Sequence, residues 1–247
     1  MKKSCFRHVL TIICIVMLLS FVSLASAYPT LTEKYLPRLQ GQWYDLNGNV
    51  VLNFAGNYLN DCQITGLYGG AGGGGDIGFT VRIIENGQYR DLQLSCTNLS
   101  ENPDAYHQYI VFNKNTLRRT PEAQFYESVG GLGLGMSQKD VVVRYGQPNR
   151  AYSGSNDRRL TWEYTDLGMT ITWDYGIISR IVIYKYGNRR FDRTGFNCLN
   201  TVYDYAQEYG MKRVPSPGRF GAFGIGYNEF MWFEHYPNAV ELSLYWN

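Results

Sequence analysis

Acid–base, nucleophilic or metal chemistry requires histidines, cysteines or carboxylates held within reach of one another. Outside the first few residues the only histidines are His107 and His235, in different halves of the chain. No H-x-x-x-H, C-x-x-C or D-x-D-x-D-G spacing offers a metal its ligands, so neither a metal nor a cofactor is expected. Cys96 with His107 is the one pairing that would give a thiol nucleophile a base, yet a single histidine on a strand is more often a polar edge residue. Glu229, Glu234 and Glu241 gather near the C-terminus. Paired carboxylates can cleave glycosides, but acids scattered over solvated strands occur on any sheet. The run Gly69-Gly70-Ala71-Gly72-Gly73-Gly74-Gly75 lacks the Gly-Lys-Ser/Thr ending and the following helix of a phosphate loop. It leads into Asp76-Ile77-Gly78 and reads as a long hairpin tip. A hydrolase would need pocket chemistry that this inventory lacks, and the expected protein is not an enzyme.

The elements that would carry any site begin after a leader. Lys2, Lys3 and Arg7 precede an apolar run from Val9 to about Leu24, and Ala25-Ser26-Ala27 supplies small residues at a cleavage position. This three-part pattern predicts a signal peptide over 1–27, cut after Ala27, and a periplasmic or secreted protein. The apolar run is shorter than the roughly 20 residues that span a bilayer, so no membrane span is expected. Ile13 before Cys14, and no cysteine just after Ala27, argue against a lipid anchor. Cleavage leaves 20 basic against 21 acidic residues, a balance without the broad basic field that attracts nucleic acid. Three cysteines remain, Cys62, Cys96 and Cys198. An oxidising compartment allows Cys62 and Cys96 to form a disulfide, with two buried thiols as the alternative.

Residues 28–120 read as an N-terminal β-barrel or sandwich. Short β-like runs cover Val50 to Ala55, Tyr58 to Leu67, Phe79 to Ile84, Tyr89 to Cys96 and His107 to Phe112. Asn47-Gly48, Gly56-Asn57 and Asn86-Gly87 between them tolerate the positive φ angles of tight hairpins. The pattern lapses around Thr120-Pro121-Glu122, and residues 121–247 change character. Ser137 with Asp140 three positions on marks a helix start, Val141, Val142 and Tyr145 keep helical spacing, and Gly146-Gln147-Pro148 ends it. Strands are expected over Leu160 to Tyr164, Met169 to Tyr175 and Ile177 to Tyr186. A second helix over Leu199 to Tyr209, then a hairpin of Phe230 to His235 with Val240 to Trp246, suggests two repeats, 130–190 and 195–247. Ser137 to Leu199 and Met169 to Met231 are both 62 positions apart. The fold class is therefore α+β, a small antiparallel barrel followed by a tandem helix-plus-antiparallel-sheet domain.

Two resemblances attach to these segments. Gly41-Gln42-Trp43-Tyr44 resembles the G-x-W opening strand of lipocalin-like barrels, in which the tryptophan closes one end. That implies a carrier of a small apolar ligand as one reading of the N-terminal half. Leu132-Gly133-Leu134-Gly135-Met136-Ser137-Gln138-Lys139-Asp140-Val141, with Tyr145-Gly146-Gln147-Pro148 and the aromatic strand Trp162-Glu163-Tyr164, looks like the motif of SmpA/OmlA-type outer-membrane-assembly lipoproteins. These share their fold with β-lactamase-inhibitor-protein-like (BLIP-like) domains. The chain departs from the lipoproteins in lacking a lipobox cysteine and in carrying the extra β domain.

Each matched residue has a structural job in turning, capping or packing, so the motif speaks for a fold and not an activity. The resemblance implies a bacterial envelope protein that binds a protein partner through the sheet face its helices leave open. Alternation along the strands turns Met169, Ile171 and Trp173 to the helix. Thr170, Thr172, Asp174, Arg180, Tyr184, Tyr186, Glu241, Ser243 and Tyr245 then share the opposite face as the candidate protein-binding residues. Tyrosine and arginine concentrate binding energy at interfaces.

Overall fold

The computed structural model describes residues 30–70, 76–97, 108–154, 159–226 and 228–244. The leader, Ala71 to Gly75, His107 and Tyr245 lie outside the described residues. None of the described helices is long and apolar enough to cross a membrane.

The chain is mostly β, and its first unit is a closed eight-stranded antiparallel barrel. The strands are β1 (Gly41–Tyr44), β2 (Val50–Ala55), β3 (Tyr58–Leu59), β4 (Cys62–Gly69), β5 (Asp76–Glu85), β6 (Gln88–Thr97), β7 (Tyr109–Phe112) and β8 (Asn115–Arg118). They pair in chain order, and Tyr44 opposite Arg118 closes the ring. The anticipated strand from Tyr58 to Leu67 is broken in two. Asn60 and Asp61 turn with φ of 47° and 65°, and Asn113 and Lys114 do the same with 49° and 64° between β7 and β8. Both are hairpins built without glycine, so the dipeptide signal missed them.

Alternate residues of the long strands point inward. Leu52, Phe54, Phe79, Val81, Ile83, Leu94 and Ile110 are buried in one apolar cluster that fills the barrel interior. An eight-stranded barrel is just wide enough for such filling. A helix not foreseen from the sequence, α1 (Leu31–Leu39), precedes β1. The Thr30 hydroxyl accepts the Glu33 amide at 3.2 Å while the Glu33 carboxylate accepts the Thr30 amide at 2.7 Å, a capping box. Pro37 in its last turn obscured the helical reading. Leu36 and Leu39 join the barrel core, and the Trp43 indole donates to the Leu39 carbonyl at 2.9 Å. The Arg119 guanidinium lies 3.8 Å from the centre of the Trp43 ring.

The disulfide expectation needs correction, because Cys62, Cys96 and Cys198 are all free thiols. Gln63 pairs with Ile84 near the end of β5, while Cys96 pairs with Ile77 near its start. Strands rise about 3.3 Å per residue, so the two cysteines sit on the order of 25 Å apart along the barrel. A disulfide needs Cα atoms within about 7 Å.

After an irregular stretch over 119–127, a small hairpin of β9 (Ser128–Val129) and β10 (Leu132–Gly133) leads to α2 (Gln138–Tyr145). Ser137 and Asp140 form the anticipated capping box, and Gly146 with φ of 72° closes the helix by donating to the Val142 carbonyl at 2.8 Å. Then come β11 (Arg150–Ser153), β12 (Arg159–Tyr164), β13 (Met169–Asp174), β14 (Ile177–Tyr184), α3 (Val202–Glu208), β15 (Ala222–Gly226), β16 (Glu229–Trp232) and β17 (Ala239–Leu244). These seven strands form a single antiparallel sheet in the order β11-β12-β13-β14-β17-β16-β15. The edge strands β11 and β15 were not anticipated. The second helix is shorter than expected, because Thr201 caps it through Asp204 and leaves Leu199 exposed outside.

Met169, Ile171, Trp173, Ile181, Ile183, Met231 and Leu242 share one buried core with Val141 of α2 and Tyr205 of α3. Both helices therefore cover the same face. The glycine motif packs where barrel and sheet meet. A Cβ on Gly133 would fall 2.1 Å from the Phe125 ring, and one on Gly135, at φ of 83°, would fall 2.4 Å from the Tyr109 hydroxyl. Tyr109 belongs to the barrel strand β7 yet is buried in the core of the sheet unit.

Candidate functional site

Cross-strand pairing lays out the uncovered face of the sheet row by row. One row runs Trp232, Glu241, Val182, Thr170, Glu163 and Arg150. The next runs Phe230, Ser243, Arg180, Thr172, Thr161 and Tyr152. Residues opposite one another on paired strands share a face, so Thr170, Thr172, Arg180, Glu241 and Ser243 are brought together as expected from alternation.

Burial divides this set. Thr172 is 8 % exposed, Ser243 3 % and Asp174 0 %, and these three present nothing to a partner. Asp174 keeps the phase of Thr170 and Thr172 along β13, opposite Arg159 of β12, and the bulge beside it falls on β14, where Ser179 is the extra residue. The Ser243 hydroxyl accepts the Trp232 indole at 2.5 Å, so it orients a neighbour. Thr170, Tyr184 and Glu241 are partly accessible, and Arg180 and Tyr186 are exposed. Tyr186 sits in the short 3-10 turn after β14, yet its ring stacks on Tyr184 with centroids 5.5 Å apart and planes 14° apart.

The structure adds members that the sequence reading missed. Tyr152 is exposed on β11 and donates to Glu163 at 3.2 Å. Phe220, 81 % exposed, packs 4.8 Å from the Trp232 ring. Alternation along Arg150–Ser153 was available as a signal, but four exposed residues carry no apolar phase to set it. Between the two aromatic groups, Arg180 pairs with Glu241 at 3.0 Å. Burial raises the Glu241 pKa above the usual carboxylate range, and the Arg180 charge only partly offsets it.

The three glutamates considered for catalysis do not converge, and His107, weighed with Cys96, lies outside the described residues. Glu229 is fully buried and faces the helices opposite Leu244, where it accepts the backbone amides of Tyr126 and Glu127. Glu241 is on the other face of the sheet, and Glu234 and His235 are exposed in the turn between β16 and β17. Cys198 is buried with its sulfur 3.5 Å from the Ile183 carbonyl, and burial pushes its thiol pKa up. Among the described residues no three His, Cys, Asp or Glu side chains gather closely enough to hold a metal ion.

The chain matches no family model, no curated protein and no solved structure.

Proposed function

We propose that the chain is exported by a cleavable leader and acts in the bacterial cell envelope as a non-enzymatic binding protein, docking a protein partner on the uncovered face of its seven-stranded sheet. The observation that carries this reading is the accessible band of Tyr152, Arg180, Tyr184, Tyr186, Phe220 and Trp232 on a face crossed by none of the described helices. Aromatic and arginine side chains supply most binding energy at interfaces. The rings of Tyr184 and Tyr186 are already stacked, so less conformational freedom remains to be lost on docking.

A duplicated BLIP-like unit is supported by the strand order. Each helix is followed by an antiparallel meander, and the two meanders meet through their last strands, β14 and β17. Met169 and Met231 then occupy matching positions on the penultimate strands. The lipocalin-like reading of the barrel is supported by Trp43, buried under α1 at one end. An apolar ligand inside that barrel draws no support from an interior filled by its own side chains.

The test is capture of a partner from an envelope fraction by three proteins: wild type, Y184S/Y186S/R180E, and V143S, whose exposed Val143 lies on α2 across the sheet. A partner retained by wild type and V143S and lost by the triple variant supports the reading. Retention by all three overturns it.

A further inference from the structure

A cleft of about 1020 Å3 opens between the barrel and the sheet unit. This is at the upper end of the size of small-molecule sites, which favour the junctions of domains. The loop between β1 and β2 and the turn between β7 and β8 form one wall. The start of α2 and the β13–β14 hairpin form the other. The Thr116 hydroxyl donates to the Tyr175 carbonyl across the junction, and Arg118 donates to the Gly135 carbonyl at 3.2 Å.

The lining is divided in character. Leu46, Val51, Leu160 and Trp173 make an apolar floor, while Lys114, Lys139 and Arg159 stand at the rim. Among the described residues none of these three cations pairs with a carboxylate. Asp45, the one acid in the lining, already accepts the Asn47 amide at 2.9 Å, the Asn49 amide at 2.8 Å and the Asn49 side chain at 3.1 Å. The α2 capping box uses the amides of Ser137 and Asp140, and the bridge between Ser137 and Ile177 turns the Gln138 amide to the β13–β14 hairpin, which leaves that of Lys139 at the positive end of the helix.

We propose that this cleft binds a small amphipathic anion, a carboxylate or phosphate carrying an apolar body. Lys139, through its side chain and backbone amide, and Arg159 hold the charge, and Leu46, Val51 and Leu160 receive the body. Leu160 is on the helix-covered side of the sheet, while Arg159 sits opposite Asp174, at the end of the uncovered face far from Tyr184 and Tyr186.

The test is isothermal titration of the chain as the cell produces it, purified without detergent. The probes are dodecyl phosphate and dodecanoate below their micelle concentrations, with dodecyl maltoside and inorganic phosphate as comparators. The two anionic amphiphiles distinguish a phosphate from a carboxylate head. Expected is saturable 1:1 binding of at least one of them, tighter than either comparator. Charge reversal of two exposed rim residues, K139E/R159E, should weaken it by about tenfold or more, while K212E and the docking-face variant Y184S/Y186S leave it unchanged. Absence of saturable binding, equal binding of dodecyl maltoside, or unchanged affinity in K139E/R159E each overturns the proposal.

Discussion

Alanine at position 135 would place a methyl group 2.4 Å from the Tyr109 hydroxyl, on a backbone held at φ of 83°. Two costs follow. A non-glycine residue in the left-handed region costs about 1–2 kcal/mol, and overpacking a fixed neighbour costs about 1–3 kcal/mol more. Tyr109 is 3 % exposed and cannot swing aside. Gly135→Ala should therefore destabilise the protein by roughly 2–5 kcal/mol. At roughly 2–4 °C per kcal/mol for a chain of this size, the melting temperature falls visibly.

The double variant separates the two costs. Without the hydroxyl, the nearest Tyr109 atom would be the ring carbon Cζ at 3.5 Å, an ordinary contact. Tyr109→Phe should then recover the overpacking share in the Gly135→Ala background and leave the backbone share. Urea denaturation of the wild type, both single variants and the double variant gives the coupling, expected at about 1–3 kcal/mol. Additivity within about 0.5 kcal/mol would refute the claim that the glycine motif exists to admit a barrel tyrosine into the sheet core.

Three other outcomes are expected. Burial raises the Glu241 pKa against the pull of Arg180; a carboxyl that holds its proton more tightly folded than unfolded loses stability as pH rises from the unfolded value through the folded one. Glu241→Gln should thus match the wild type near pH 4 and melt higher at neutral pH, whereas a clearly lower melting temperature there would mean that the Arg180 pair dominates. At Asp192 burial opposes ionisation, but hydrogen bonds from the Ser128 hydroxyl and the Gly131 and Gly130 amides outweigh it and hold the pKa below its ordinary value. Asp192→Asn should cost about 1–2 kcal/mol at neutral pH, the low end of the range for a partly exposed carboxylate, and the difference should vanish as pH falls through the folded pKa. Unfolded without reductant, a chain lacking residues 1–27 should titrate all three of its thiols, and its melting temperature should be the same with and without dithiothreitol.

Local rules carried the sequence reading far where the local signal was strong. The Ser137–Asp140 box, the Gly146 stop and the alternation of Met169, Ile171 and Trp173 each fixed an element that the structure contains. Weak local signals failed. Helix α1 hid behind Pro37, and the edge strand β11 hid in four exposed residues. Lys114 adopts a left-handed conformation that its residue type rarely signals. Longer-range facts were not local at all. The register that separates Cys62 from Cys96 depends on how β4 and β6 flank β5, and Asp174 is buried although its phase along β13 sets it with Thr170 and Thr172. The candidate face was legible as a period-two pattern, but its accessible members depend on neighbours two strands away, and the cleft depends on two units meeting.

The most direct measurement places a photo-crosslinking amino acid at Tyr184, on the uncovered sheet face, or at Tyr203, exposed on α3 across the sheet, in cells producing the protein. A discrete adduct with a second protein from position 184 and none from 203 is the result expected of a partner docked on the sheet. Adducts from 203 alone, or equally from both, would contradict it.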